Sequence, residues 1–464
     1  MMTVIQIDKD LCTGCEECKK ACPVDAIEGN PREAQTVNTD KCVMCGQCVQ
    51  RCKSYVSIID HGAAAYAKKR AERDLPETVK EPLFAAHNVS HLSEVIRALD
   101  DPNTYTIIQA APAVRVGIAE DFGLPLGTLA PGKLAAMMRK IGFNKVYDTN
   151  FTADLTIMEE GTELVHRVTQ KGVLPMFTSC CPAWVAYIEK NHPELSKHLS
   201  TCKSPQQMAG AVFKTYGAKI NNVDPAKIFS VSVMPCTCKE YECSREEMAD
   251  SGHRDVDVVI TTRELAYLFK YKGIDFESLT EEDFDLPLGA YTGAGTIFGV
   301  TGGVMEAALR TGYNLITGKE LEDVDIHPVR GTAGVRTAEI EVGDLTLKVG
   351  IITNLKNIGP VIEAVKAGTL DLHFVEVMTC PEGCVSGGGQ PKLILPESIV
   401  EAYRNRRQAL FDHDKELPKR KSHENEAIKQ IYKEFLEKPN GEKSHHLLHT
   451  SYKGSPAAKG HGHH

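Results

Sequence analysis

No stretch of this chain approaches the roughly 20 consecutive apolar residues that a membrane-spanning helix requires, so direct membrane insertion is not expected. A secretory leader is missing as well. Met1-Met2-Thr3-Val4-Ile5-Gln6-Ile7-Asp8-Lys9 carries neither a basic n-region nor an apolar h-region, and a cytoplasmic location is the expectation. Nor is there an excess of basic charge. With 53 Lys/Arg against 62 Asp/Glu and a net charge of −9, neither nucleic acid nor an anionic membrane surface is favoured as a partner.

What the chain does have is cysteine, sixteen of them in 464 residues. In a short secreted domain they would read as a disulfide framework. In a long chain without a leader they read as thiolate ligands in a reducing compartment.

Composition divides the chain into five parts. Residues 1–60 are cysteine-dense, turn-rich and internally repeated. Residues 61–103 are charged and alanine-rich, with helical spacing at 63–73 and 91–99, and read as a helical connector. Residues 104–396 alternate strand-like and helical runs, which argues a mixed α/β architecture. Strands are predicted at 106–108, 228–233, 256–261, 345–352 and 373–377, and helices at 132–141, 204–216 and 303–311. Ser204 and Pro205 supply a cap and a first-turn proline for the second helix. Residues 397–452 carry two amphipathic helical stretches, 398–412 and 424–437, and no cysteine. Residues 453–464, ending His461-Gly462-His463-His464, read as a solvated, disordered tail.

Within the first part, Cys12, Cys15, Cys18 and Cys22-Pro23 form a C-x2-C-x2-C-x3-C-P run, and Cys42, Cys45, Cys48 and Cys52 repeat the spacing. Three thiolates on one tight loop cover one face of a [4Fe-4S] cubane, and the fourth reaches across to the other cluster. The expected ligand sets are Cys12, Cys15, Cys18 with Cys52, and Cys42, Cys45, Cys48 with Cys22. Structural zinc is the competing reading, but zinc ribbons present paired C-x2-C knuckles rather than crossed triplets. Lys53 follows Cys52 where the first run has proline. The module resembles bacterial two-cluster ferredoxins, and its role would be electron conduction.

The other eight cysteines are spaced differently. Three glycine- or proline-marked segments hold most of them: Thr178-Ser179-Cys180-Cys181-Pro182, Met234-Pro235-Cys236-Thr237-Cys238-Lys239 and Met378-Thr379-Cys380-Pro381-Glu382-Gly383-Cys384, the last followed by Gly387-Gly388-Gly389. Together they can supply four thiolates to a third cubane between two lobes and leave Cys180 over. Lys239 and the glycine-rich loop offer donors and close backbone approach to a cofactor with small anionic ligands.

These segments look like the three signature motifs of [FeFe]-hydrogenases, and the similarity extends over about residues 104–395. The resemblance implies a two-lobed α/β domain with the H-cluster between its lobes. Cys181, Cys236, Cys380 and Cys384 would hold the cubane, and Cys384 would bridge to a diiron subsite with carbonyl, cyanide and azadithiolate ligands. Lys239 would hydrogen-bond a cyanide, and Met234, Pro235, Met378 and Phe298 would line the pocket. Cys180 matches the family's proton-relay cysteine, and the outward path would continue through Glu160, Ser200 and Glu163 to Arg167. Glu160 and Glu163, three apart on a presumed helix, share a face. Cys202, Cys238 and Cys243 read as small buried side chains.

The part after residue 396 resembles the small subunit of heterodimeric members, here fused, and implies a helical wrap. The resemblance implies reversible conversion of dihydrogen to protons and electrons, with maturation proteins to supply the diiron subsite. No flavin, nicotinamide or molybdenum motif is present, so electrons would pass through the N-terminal clusters to a protein partner. That partner would be a ferredoxin or iron–sulfur subunits of a formate-dehydrogenase-linked complex. Two readings compete: a hydrogen sensor using the same cofactor, disfavoured by the presence of Cys180, and a non-catalytic iron–sulfur assembly factor, disfavoured by the complete motif set.

Overall fold

The computed structural model describes residues 4–77 and 79–453. The tail expected to be disordered lies, from residue 454 on, outside the described residues.

The centre of the molecule is a pair of four-stranded sheets. In the first, all strands are parallel, in the order Val258–Thr261, Ile228–Met234, Tyr105–Ala110, Lys145–Asp148. Both faces are covered, so these strands read as nearly continuous β-branched and apolar runs rather than alternating ones. The second sheet runs Val335–Val342, Leu345–Thr353, Phe374–Met378, Met176–Phe177. Its first two strands form an antiparallel hairpin turning at Gly343, φ +62°, and the rest are parallel. In parallel sheets ligands bind beyond the carboxyl ends of the strands. Here four such ends, from both sheets, lead into Ala111-Pro112, Pro235-Cys236, Cys180-Cys181 and Thr379-Cys380.

Most predicted elements appear within two residues of their expected limits, including Pro131–Ile141 and Leu345–Thr353, while the helix expected over 303–311 runs on to Thr317. The helix expected over 204–216 is α-helical only over Pro205–Val212. It widens to a π turn over Phe213–Gly217 and resumes at Ala218–Asn221. Ser204 does not cap it: its hydroxyl donates to Glu242 at 2.8 Å instead. The long helix Thr149–Thr169 starts at Asp148, whose carboxylate accepts from the Asn150 amide and pairs with the buried Arg115.

The N-terminal repeat is visible in the backbone. Each copy has left-handed residues two and four positions after its first cysteine, Gly14 and Glu16 in one and Met44 and Gly46 in the other, and then a single-turn helix, Glu17–Ala21 or Gln47–Arg51. Residues 61–103 contain the expected helices, Ala63–Glu72 and Leu92–Asp100, but two strands intervene. Leu83–Phe84 pairs with Tyr55–Val56, and Ala86–Asn88 pairs with Ile5–Ile7, so this stretch closes the cysteine-rich module as well as linking it.

The C-terminal stretch wraps the two-sheet body. Helix Pro396–Glu416 buries Arg406, which pairs with Glu120, and Asp414, which accepts from Arg310 and Arg420. Glu426–Ile431 runs into a second π turn, Tyr432–Leu436, followed by Glu442–Leu448. The last of these was not expected from the sequence. His449 then bridges Cys202 in strand fashion.

Candidate active site

A cavity of about 740 Å³, its mouth included, opens where the two sheets' strand ends meet. Its walls include Cys180, Cys181, Met234, Pro235, Cys236, Lys239, Phe298, Met378, Cys380 and Cys384. The four expected cubane ligands, Cys180 and every expected pocket residue therefore reach one space, whereas Cys238 of the second motif does not. Gly383 and Gly387 allow the backbone to approach it. Gly383 sits at φ +87°, and a Cβ at Gly387 would lie 2.1 Å from the Pro235 carbonyl.

None of the sixteen cysteines is in a disulfide. Burial, then mutual repulsion, pushes the thiols up. Cys236 and Cys384 rise to about 12, each feeling Cys181, and Cys380 is raised well above its ordinary value, feeling Cys236, Cys45, Cys181 and Cys384. In the N-terminal module Cys18 rises to about 11 by burial and by Cys52, Cys12 and Cys15. Cys45 and Cys48 are raised by burial, then by neighbours that include Cys22 and Cys42. Cys52 thus neighbours the first cysteine run and Cys22 the second.

The sulfurs are near enough to repel one another yet too far apart for one ion. Among the described residues, the only His/Cys/Asp/Glu trio with ligand atoms all within 4.8 Å is Glu163, Cys202 and His449. A zinc ion, with bonds to sulfur of about 2.3 Å, would draw three thiolates closer than that. A cubane holds its thiolates apart, so the residues present fit [4Fe-4S] clusters and not structural zinc.

The three sets lie in series. Cys15 of the first is exposed. Cys18 of that set couples to Cys48 of the second, and Cys45 of the second couples to Cys236 and Cys380 at the cavity. Contacts that the motifs did not reveal lock the second set against the cavity. Gln47 donates to Cys380 Sγ at 3.3 Å and to the Ser386 carbonyl, Gln50 donates to the Gln390 carbonyl at 2.7 Å, and Thr237 donates to the Met44 carbonyl at 2.7 Å.

Lys239 stays charged although buried, because Glu242 accepts its ammonium at 3.0 and 3.2 Å. Its other described acceptor is the Cys180 carbonyl, at 3.0 Å. Glu242 is itself held by Ser204 Oγ (2.8 Å) and Gln206 Nε2 (3.2 Å). The i,i+3 spacing of Lys239 and Glu242 within one short helix was the available signal for this pair.

On the other side of Cys180 lies a column of polar groups. The surrounding protein raises the Cys180 thiol well above its ordinary value, first by burial and then by repulsion from Glu160. Glu160 is 1 % exposed, its Oε2 has no partner, and burial followed by the nearby Glu163 raises its pKa to about 8. Ser200 favours the ionised form of Glu160 and donates to Glu163 Oε2 at 2.8 Å. Arg167 grips Glu163 through Nε (3.0 Å) and Nη2 (2.5 Å) and also donates to the Leu199 carbonyl. The structure thus brings Cys180, Glu160, Ser200, Glu163 and Arg167 together in that order.

Cys238 and Cys243 are buried, with Sγ donating to the carbonyls of Val43 and Glu240. Cys202 is buried too, but it sits beside Glu163 and His449. From the sequence alone His445, His446 and His449 would suggest a metal site, but the resemblance of this stretch to the small subunit favours packing; nothing in the sequence points to Cys202 and Glu163 as the neighbours of His449.

Comparison with known proteins matches three regions to described families. Residues 104–388 match the C-terminal domain of the iron only hydrogenase large subunit, residues 400–455 the iron hydrogenase small subunit, and residues 4–53 a 4Fe-4S dicluster domain. The chain is 46% identical to the NADP-reducing hydrogenase subunit HndD of Solidesulfovibrio fructosivorans, over 89% of this chain and 73% of that one. It is 40% identical to iron hydrogenase 1 of Clostridium pasteurianum, over 90% and 75%. A solved structure of a variant of the apo [FeFe]-hydrogenase HydA1 from Chlamydomonas reinhardtii superposes with a TM-score of 0.69 at 41% identity, covering 79% of this chain and all of that one.

Proposed function

Because this chain belongs to the iron-only, or [FeFe]-, hydrogenase family, an oxidoreductase acting on dihydrogen, we propose that it turns over dihydrogen in both directions and exchanges electrons with a protein partner. The observation that carries this reading is the cavity in which four separated thiols face a fifth, Cys180, backed by the buried Glu160 and the hydrogen-bonded Ser200, Glu163 and Arg167.

The family's cofactors are [4Fe-4S] clusters and the H-cluster. When bound, the H-cluster supplies the electrophilic metal and nearby base that heterolytic cleavage of dihydrogen needs. Cys181, Cys236, Cys380 and Cys384 would hold its cubane, and Cys384 would bridge to the diiron subsite. Lys239, kept charged by Glu242, would direct one ammonium proton at a cyanide, while Met234, Pro235, Phe298 and Met378 would exclude water. Cys180 carries a proton on Sγ at neutral pH. Glu160 is the next acceptor, its pKa near ambient pH suiting it to both uptake and release. Ser200 Oγ–H hands the proton to Glu163 Oε2, and Arg167 stabilises that carboxylate near the outlet.

Electrons would move through Cys42/45/48/22 to Cys12/15/18/52 and leave near the exposed Cys15. A ferredoxin or iron–sulfur subunits of a formate-dehydrogenase-linked or NADP-reducing assembly would take them. A reducing cytoplasm suits a chain with all its thiols free. Among the described residues no helix is long and apolar enough to cross a membrane.

The test is anaerobic assay of the matured protein with a viologen dye, beside Cys180→Ala. Rapid turnover by the parent, lost by about 10²-fold or more in the variant, is the expected result. Negligible turnover by a fully loaded parent would sink the catalytic reading in favour of a hydrogen sensor.

A further inference from the structure

The C-terminal wrap brings His449 beside the outer half of the polar column, and the contacts there have the form of a metal site. Cys202 Sγ lies 3.9 Å from both Glu163 Oε2 and His449 Nδ1. All three residues are buried. We propose that Glu163, Cys202 and His449 bind a borderline-soft divalent cation such as zinc, and that a cation seated there arrests proton transfer through Glu163.

The geometry suits the ion. Zinc bonds of about 2.3 Å to sulfur and about 2.0–2.2 Å to nitrogen and oxygen place tetrahedral ligand atoms about 3.3–3.8 Å apart, so the two contacts of Cys202 Sγ need to close by only a few tenths of an ångström, and all three ligand atoms already lie within 4.8 Å of one another. The histidine is already oriented. With Nε2 donating to Glu159 Oε2 at 3.1 Å, Nδ1 is the acceptor nitrogen and takes a hydrogen bond from Thr201 Oγ1 at 2.8 Å, while Cys202 Sγ lies beside the ring, 3.9 Å from Nδ1 and 4.0 Å from Nε2. Glu159 is fixed in turn by the Tyr432 hydroxyl (2.5 Å) and the Asn440 amide (2.7 Å). A carboxylate behind a histidine, itself hydrogen-bonded, is how protein metal sites orient their imidazole ligands.

Charge balances without redox chemistry. The Cys202 thiol releases its proton to solvent as the sulfur–metal bond forms. Thiolate and Glu163 carboxylate then neutralise the two positive charges. Access exists as well: His445 is exposed and stacks on His449 with ring centroids 4.5 Å apart, so the trio lies one imidazole from solvent. A bound cation occupies a Glu163 oxygen and sets positive charge beside the atom that Ser200 addresses. The arrest, though not the binding, rests on the relay read above.

The experiment titrates zinc chloride into the anaerobic holoenzyme and records both viologen-linked turnover and zinc K-edge X-ray absorption. Cys202→Ala and His449→Gln are run alongside, with iron content and zinc-free turnover as checks that each variant folds; either variant alone suffices. The expected parent result is one sulfur at about 2.3 Å among nitrogen and oxygen ligands, turnover reduced about tenfold or more in both directions, and recovery on chelation. Each variant is expected to keep its zinc-free turnover and to lose the inhibition, Cys202→Ala losing the sulfur as well. A zinc shell without sulfur, or inhibition that persists in both variants, overturns the site. Zinc seated on sulfur with turnover undiminished overturns the arrest and places the fault in the relay assignment of Glu163.

Discussion

Glu160 sits in an environment that its chemistry disfavours: a buried carboxyl with one oxygen unpartnered and a second carboxyl close by. Its folded pKa of about 8 lies above the ordinary 4.5. The group therefore destabilises nothing at pH below about 4.5 and increasingly destabilises the fold as pH rises from there to about 8. Glu160→Gln removes that penalty, so its melting temperature relative to the parent is expected to climb across this window, as calorimetry at pH 4.5 and 8 would show. The same variant cannot carry a proton and is expected to lose about 10²-fold or more of its turnover. Glu242 makes a complementary case. Glu242→Gln leaves the Lys239 ammonium buried without a counter-charge. We expect the cofactor's cyanide infrared bands to shift in that variant, an outcome that a purely structural Glu242 would not give. At this scale the motif cysteines were legible, because ligand spacing along a tight loop is local. Glu242 and His449 were not, since their roles depend on Ser204, Gln206, Thr201 and Glu159, which only the fold brings near.

Elements explain why the cysteine-rich module sits where it does. The turn before Gln47–Arg51 needs Gly46 in the left-handed region, and the glycine loop after Cys384 meets it face to face. A Cβ at Gly388 would lie 2.6 Å from the Cys45 carbonyl oxygen and from the Gly46 Cα. Gly388→Ala is expected to destabilise the molecule by about 1–3 kcal/mol, read by denaturant titration, and to slow partner-linked electron transfer by prising Gln47 from Cys380. Helix Pro396–Glu416 is anchored by charge. Asp414 accepts from Arg310 at 2.9 Å, both side chains being fully buried, and from Arg420. Asp414→Asn removes one of two carboxylates from each guanidinium, Glu306 remaining beside Arg310 and Asp325 beside Arg420, at an expected cost of about 1.5–3 kcal/mol. The parent's own share of that pairing is present above pH 3.8 and fades as pH falls through the depressed pKa of Asp414. Strands and helices with strong periodicity were readable from the chain. Met176–Phe177, two residues long, and Val335–Val342, an edge strand, were not, because neither has enough buried apolar residues to announce itself. The strands inside the presumed connector escaped for the same reason.

Over the whole molecule the three cysteine sets form a line from the exposed Cys15 to the cavity, and this order makes a prediction. Cys12→Ala, which removes a ligand of the outermost set, is expected to abolish dihydrogen oxidation coupled to a ferredoxin acceptor. The same variant is expected to retain much of its turnover with a small viologen that reaches the inner clusters. Equal loss in both assays would place the exit elsewhere. The proton side has a different architecture. Residues 397–453 are made after everything they enclose, yet they supply Asn440, His449 and Tyr432 around the carboxylates of Thr149–Thr169. During synthesis the iron–sulfur module, whose strands pair among its own first 88 residues, is complete long before the wrap emerges from the ribosome. The electron wire is thus laid early in the life of each molecule, and the outer end of the proton channel is sealed last.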